Sequence, residues 1–212
     1  MLRVIENKQL DLIKERLREE NKLDLLKDFQ KLIKQKTKPF FVWKMEFMEV
    51  FENGGFDIVI GNPPYISTKG ISEREKKALK DEFDFADDTY SHFYFLGMSI
   101  LKDNGNLSYI TSKSFWTTQT KKNLRELLLD NKIHYIFDTA NPFEAAMVDT
   151  CIVFLTKDKL KKEKNIIRFY NGRESLDNPQ LYMVNQSVYE EANNKVIFTP
   201  SEKNIKIYGL YN

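Results

Sequence analysis

The sequence predicts an α/β fold, with a mostly parallel sheet preceded by an N-terminal helical segment. Three observations predict it. Short apolar runs rich in β-branched residues at Ile58-Val59-Ile60, Leu107–Thr111, Ile133–Phe137 and Cys151–Leu155 read as strands. Segments with apolar residues at helical spacing alternate with them, which is the signature of this class. A chain of 212 residues that is 42% hydrophobic and 13% aromatic can bury a core as one domain.

Composition excludes several other classes. The 33 basic and 31 acidic side chains nearly cancel, so net charge alone neither argues for nor against a nucleic-acid partner. A single cysteine and two histidines rule out a disulfide framework and leave no ligand set for a structural zinc. Neither a signal-peptide core after Met1 nor a long apolar run is present, so the expectation is a cytoplasmic, soluble chain without a membrane partner.

The elements follow in order. Glu6 to Lys36 reads as helix, with Leu10, Ile13 and Leu17, then Leu25, Leu26, Phe29 and Ile33, on one face. The stripe shifts phase at Asn21-Lys22, which predicts two helices or a kink. The charged residues between read as a solvated face rather than a DNA contact. Pro39 is expected to end the helix, and Asn53-Gly54-Gly55 to turn the chain into the strand Phe56–Gly61. Its continuous β-branched run predicts a strand covered on both faces, with Asp57 structural. Ile66 to Gly70 reads as a polar loop. Ser72 and Glu75 form a capping box opening a helix, and Lys80 to Asp88 a surface connection. Tyr90 to Lys102 is an apolar helix stopped at Asn104-Gly105. The strand Leu107–Thr111 delivers the loop Ser112–Trp116. A helix with Leu124, Leu127 and Leu128 as its buried stripe comes next, then two more strands, with Cys151 buried in the last.

Asn62-Pro63-Pro64-Tyr65, directly after Gly61, carries the chemistry. Gly61 permits close backbone approach, and the prolines lock φ and remove two N–H donors, leaving carbonyls without local partners. An amide side chain, fixed carbonyls and an aromatic ring suit a planar group bearing an NH2. The lone pair of such an amine is delocalised into its ring. The Asn62 side-chain oxygen and the Pro63 carbonyl, accepting its two N–H bonds, favour the pyramidal geometry that frees it. Acceptors placed where charge develops are commonly worth about 3 kcal/mol each, and stacking on Tyr65 roughly 1–3 kcal/mol. Asn-Pro-Pro also makes a good turn or a polyproline ligand. A ligand, however, belongs in an exposed polar segment and not at the end of a strand.

Ile60-Gly61-Asn62-Pro63-Pro64-Tyr65 resembles the catalytic motif of adenine-specific DNA methyltransferases. Phe41–Phe47 before it and Asp88–Leu96 after it are similar to the type II and fused type IIG restriction–modification branch, and the likeness runs from about Pro39 to about Pro200. The resemblance implies a partial Rossmann-like methyltransferase fold and a methyl donor, S-adenosylmethionine. Asn62, Pro63, Pro64 and Tyr65 would be catalytic, with Asn62 and Pro64 bordering the methionine end of that cofactor. The substrate would be an adenine flipped out of double-stranded DNA. Phe143, in Asn141-Pro142-Phe143-Glu144, matches the aromatic that holds the base from its other face, although a Phe after a Pro is more often a core or turn residue. The family's glycine-rich cofactor turn precedes this segment, and no G-x-G cluster occurs among the eight glycines. The chain therefore reads as the C-terminal part of a methylase domain. It divides into 1–38 as a helical segment, 39–170 as the catalytic part and 171–212 leading towards a target-recognition domain. It would need a complementary methylase chain or a specificity subunit. Missing neighbour strands would expose a sheet edge and favour self-association. A remnant that only binds DNA or a partner, and a protein glutamine methyltransferase, are the alternatives.

Lys113 and Ser114 lie on the loop after Leu107–Thr111, on the same sheet edge as Asn62, where they would contact phosphate or line the base pocket. An exposed loop lysine is the ordinary alternative. Lys121, Lys122 and Arg125 read either as a small basic face towards DNA or as solvated helix surface. His92 and His134 have no catalytic partner nearby in sequence, and methyl transfer to an amine needs none.

Overall fold

The computed structural model describes residues 2–34, 43–142, 148–158 and 165–204. They form two compact units, Met1–Asn53 and Gly54–Asn212. In the first, α1 (Leu2–Glu19) and α2 (Leu23–Ile33) are separate helices, divided where the apolar stripe shifts phase. Asn21 takes the left-handed φ of 54° that this break requires. Leu10 and Leu26 are its buried apolar side chains, while Lys14–Asp11 and Arg16–Glu20 pair on the exposed surface. Two short helices follow, α3 (Trp43–Glu46) and α4 (Met48–Glu52). Pro39 and the expected segment border at 38–39 lie outside the described residues.

The second unit is a six-stranded sheet with helices. Its strands are β1 (Phe56–Gly61), β2 (Leu101–Ser112), β3 (Lys132–Ala140), β4 (Thr150–Thr156), β5 (Ile166–Asn171) and β6 (Gln180–Asn185). The order across the sheet is β1-β2-β4-β3-β5-β6. The sheet is mixed: β1, β2, β3 and β5 run one way, while β4 and β6 run against them. Helix α5 (Glu73–Phe83) begins with the expected reciprocal cap between Ser72 and Glu75. Helix α6 (Thr89–Ile100) packs on β2, and α7 (Lys122–Leu129) packs beside it on β3. A short α8 (Ser187–Glu191) follows β6.

Strand alternation sets the core. Leu107, Tyr109, Ile133, Ile136, Val153, Leu155, Ile167 and Phe169 are buried against Tyr94, Met98, Phe115, Leu124 and Leu128. Cys151 is buried among them, and burial pushes its thiol up to about 12. Within residues 171–204, β6 joins the sheet and Val184, Tyr189, Ile197 and Phe198 are buried in the core.

The expected cover on both faces of β1 fails here. β1 is an edge strand, and among the described residues it pairs only with β2. Val59 packs against the core, but Ile58 is 63% and Ile60 79% exposed. β-branching reports that a segment fits a pleat; it does not report how many neighbours the pleat has. The turn into β1 is as expected. Gly55, at φ 121°, lies so close to α6 that a Cβ would meet the Ile100 carbonyl oxygen at 2.5 Å. The stop expected at Asn104-Gly105 comes earlier. α6 ends at Ile100, and residues 102–105 lie in a register break of β2, with Asn104 at φ 61°.

Candidate active site

Asn62-Pro63-Pro64-Tyr65 leaves the end of β1, next to the end of its parallel neighbour β2. Pro63 is buried, Asn62 and Pro64 are exposed, and Tyr65 is half-buried. The Tyr65 hydroxyl donates to the Ile110 carbonyl at 3.1 Å, and its ring meets the Tyr90 ring edge-on, 6.3 Å between centroids. Burial raises the Tyr65 phenol above its ordinary value and pushes Tyr90 up to about 12, so both stay protonated at neutral pH. Among the described residues, nothing hydrogen-bonds the Asn62 side chain or the Pro63 carbonyl. The strand thus delivers two unspent acceptors beside a ring of fixed plane.

The start of α6 reaches back to this loop. Thr89 donates its hydroxyl to the Pro64 carbonyl and accepts from the Ile66 amide at 3.1 Å. Its own amide donates to the Ile66 carbonyl at 2.9 Å. The Thr68 amide donates to Asp88 at 3.1 Å. Behind them, Lys121 bridges Asp87 at 2.5 Å and Asp88 at 2.9 Å. Burial alone would depress the Lys121 ammonium, but its bonds to Asp87 and Asp88 outweigh that and raise it above the ordinary lysine value. His92 accepts from the Asp87 amide at 3.0 Å, and burial lowers its pKa.

The other expected site residues fare differently. Ser114 is next to the loop through Tyr90, whose hydroxyl lies 3.0 Å from the Ser114 hydroxyl. Lys113 does not reach outward. Its ammonium sits 2.8 Å from the fully buried Asp138 and 3.6 Å from Asp149, with Arg173 completing the cluster on both carboxylates. It is therefore neither an exposed loop lysine nor a free phosphate contact. The basic face expected from Lys121, Lys122 and Arg125 does not form. Lys121 is buried, and Lys122 pairs with Glu126. Arg125 is fully buried, donating to the carbonyls of Phe115, Thr118 and Asn194. A helical sequence does not reveal that its cations serve carbonyls and carboxylates far along the chain. His134 bonds Thr156 at 2.7 Å, away from the loop. Phe143 lies outside the described residues. Sequence reasoning missed Thr89, Asp87 and Lys121 as neighbours of the loop. The one signal for them was that Asp88 and Thr89 open the second segment of resemblance.

The Eco57I restriction-modification methylase family matches residues 3–144, more than half of the chain. The chain belongs to this family. Among relatives, the type II methyltransferase M.HincII of Haemophilus influenzae is 29% identical over 159 residues, 70% of this chain and 31% of that protein. The adenine-specific methyltransferase BrxX of Escherichia coli O9:H4 is 35% identical over 78 residues, 36% of this chain and 6% of that one. Among solved structures, a nuclease-deletion mutant of the type ISP restriction–modification enzyme LlaGI with a DNA substrate mimic aligns at TM-score 0.47. That alignment has 17% identity and covers 81% of this chain and 21% of that one. This Eco57I-family chain therefore spans less than a third of the length of either curated relative. No described helix is long and apolar enough to cross a membrane.

Proposed function

We propose that this chain carries the adenine-holding part of an N6-adenine DNA methyltransferase of a restriction–modification system. The observation that carries the reading is the pair of unspent acceptors at Asn62 and Pro63, set at a strand end beside the anchored ring of Tyr65. The Asn62 amide oxygen and the Pro63 carbonyl accept the two N–H bonds of the adenine amine, freeing its lone pair for attack. Tyr65 stacks on the base, which must leave the duplex to reach the loop. Phe143 is the second ring on the strength of the resemblance alone. Ser114 lines the pocket through Tyr90, while Lys113 is taken up by Asp138 and Asp149.

S-adenosylmethionine, when bound, supplies an electrophilic methyl group. The residues present fit this cofactor in part. Asn62 and Pro64 would border its methionine end, but no two of the eight glycines stand at G-x-G spacing to cradle the rest. The remainder of the cofactor site is accordingly assigned to residues outside these 212, in a flanking segment or a complementary chain. Double-stranded DNA is the macromolecular partner. BrxX, named as adenine-specific, and M.HincII support this assignment by kinship.

The test is methyl transfer from labelled S-adenosylmethionine to double-stranded DNA, with and without the product of the adjacent upstream reading frame. Mass spectrometry then identifies the methylated base. N6-methyladenine is expected, with Asn62→Ala slowing transfer about 100-fold, equivalent to about 3 kcal/mol. Methyl label on cytosine or on a protein glutamine, or full activity of Asn62→Ala, overturns the proposal.

A further inference from the structure

We infer that Thr89, Asp88 and Lys121 are positioning residues that aim the Asn62–Tyr65 loop, with one buried lysine tying the loop backbone to the ring beneath Tyr65. The inference rests on the amine-holding reading above and adds to it how the acceptors are held still. Two successive prolines take the N–H donors out of positions 63 and 64, so the loop cannot be fixed through its own amides there. What remains are the carbonyl of Pro64 and the amides that follow. The start of α6 engages these.

Thr89 makes three bonds to the loop: hydroxyl to the Pro64 carbonyl, Ile66 amide to hydroxyl, and Thr89 amide to the Ile66 carbonyl. A hydroxyl that donates and accepts at once locks both neighbours of Tyr65 in a single geometry. Asp88 adds a fourth bond, from the Thr68 amide at 3.1 Å.

The two carboxylates behind this contact need a counter-charge, and Lys121 provides it. Its side chain is 5% exposed, and its ammonium lies 2.5 Å from Asp87 and 2.9 Å from Asp88. Asp87 also accepts from the Ser91 hydroxyl and the Asp88 amide, so its lone pairs are well used. The same ammonium stands 5.0 Å over the Tyr90 ring. Tyr90 in turn touches the Tyr65 ring edge-on and reaches Ser114. One cation thus holds both the acid that grips the loop backbone and the ring against which Tyr65 rests. A surface lysine would do neither. This also accounts for a lysine, in a segment that reads as solvated helix, being buried.

Two measurements test the inference. The first is amide exchange by NMR on the 212-residue chain. Ile66 and Thr68 are expected to be protected. Thr89→Val is expected to speed Ile66 exchange at least tenfold with Ile110 and Val153 unchanged, and Thr89→Ser to restore protection. Lys121→Met is expected to speed Thr68 exchange in the same selective way. Should Thr89→Val not fold, the wild-type chain decides the matter: Ile66 and Thr68 exchanging as fast as the exposed Lys69 overturns the inference. The second is methyl transfer by the complemented enzyme. Here Thr89→Val is expected to lower kcat about tenfold with KM for DNA little changed, and Thr89→Ser to rescue it. Transfer lost in Asn62→Ala but intact in Thr89→Val overturns the positioning role alone. Transfer intact in Asn62→Ala overturns the amine-holding reading and this inference with it.

Discussion

Asp138→Asn is the substitution whose cost the structure fixes most closely. Asp138 stands near the end of β3 and is fully buried. Its carboxylate takes Lys113 at 2.8 Å, Arg173 at 3.1 Å and the Ala140 amide at 3.1 Å. An asparagine keeps the shape and can still accept from Ala140, but it removes the charge facing two cations. The Lys113 side chain is 18% exposed, so this bridge counts as nearly buried, and stripping one partner from such a pair costs about 3–5 kcal/mol. Arg173 is 48% exposed and retains Asp149, so its share is about 0–1 kcal/mol. Lys113 also retains Asp149 at 3.6 Å, which returns part of the loss. The lower end, about 3 kcal/mol, is therefore expected. For a chain of this size that lowers Tm by about 6–12 °C. Asp149→Asn is the control. Asp149 is 44% exposed, and about 1 kcal/mol or less, under about 4 °C, is expected. Thermal unfolding followed by circular dichroism at neutral pH reads both. A melt of Asp138→Asn within 2 °C (roughly 1 kcal/mol) of wild type, or one matched by Asp149→Asn, refutes the reasoning.

Further substitutions and a pH series test other parts of the fold. Gly55→Ala forces a Cβ onto the backbone of residues 100–102 at φ 121°, and about 2 kcal/mol or more should be lost in a urea titration. Gly54→Ala, whose nearest neighbour would be the Lys102 Cβ at 3.6 Å, should lose less; equal losses would count against the close approach of β1 to α6. Leu128→Ala removes a fully buried side chain of α7 and should cost about 2–5 kcal/mol, with Leu127→Ala milder because Leu127 is only partly buried. Burial lowers the His92 pKa below 6.5, against the opposing pull of Asp87, so the folded state prefers the neutral ring. The stability this provides is present above pH 6.5 and is lost as pH falls through the folded pKa. The urea midpoint should therefore drop between pH 7.5 and pH 5 (roughly one unit above and 1.5 below the ordinary histidine value), and drop less in His92→Gln. His134 shifts in the same direction, so it is the difference between the two proteins that reports His92. Finally, Ile60 is 79% exposed on an edge strand, and light scattering should show concentration-dependent association of the 212-residue chain, reduced by Ile60→Lys. A monodisperse wild-type monomer would contradict it.

Local codes were the legible part of this chain. The phase slip at Asn21-Lys22, the Ser72–Glu75 cap, the glycine turn before β1 and the stripe of Leu124 and Leu128 each involve residues within a few positions of one another, and each appears as read, Leu127 of that stripe being only partly buried. The Asn62–Tyr65 tetrapeptide stood out for the same reason, since its two missing donors and its aromatic ring are contiguous, and the structure places it at the end of β1. Long-range facts were not. β1 reads as covered on both faces because Ile58-Val59-Ile60 is continuously β-branched, while the exposure of Ile58 and Ile60 depends on what packs over that face. Lys121 and Arg125 read as surface because charge is normally solvated. Their partners, Asp87 and the carbonyls of Phe115 and Asn194, lie on other segments of the chain. The reversal of β4 between β2 and β3 has no marker in its own residues.

These two failures bear on the site together. A loop that must present unspent acceptors cannot also be stiffened by filling those acceptors, and two prolines deny it the usual amide bonds. An interior strand would stiffen it from both sides, but β1 is paired on one side only among the described residues. Support on the other side comes from the start of α6, through the Asp88 carboxylate and the hydroxyl and amide of Thr89. Asp87 and Asp88 are adjacent carboxylates drawn partly out of water there, and Lys121, buried with them, supplies the counter-charge. The lysine that reads as surface and the strand that reads as covered on both faces thus meet in one arrangement. Because the strand gives the loop support on one side, the buried Lys121 is needed on the other.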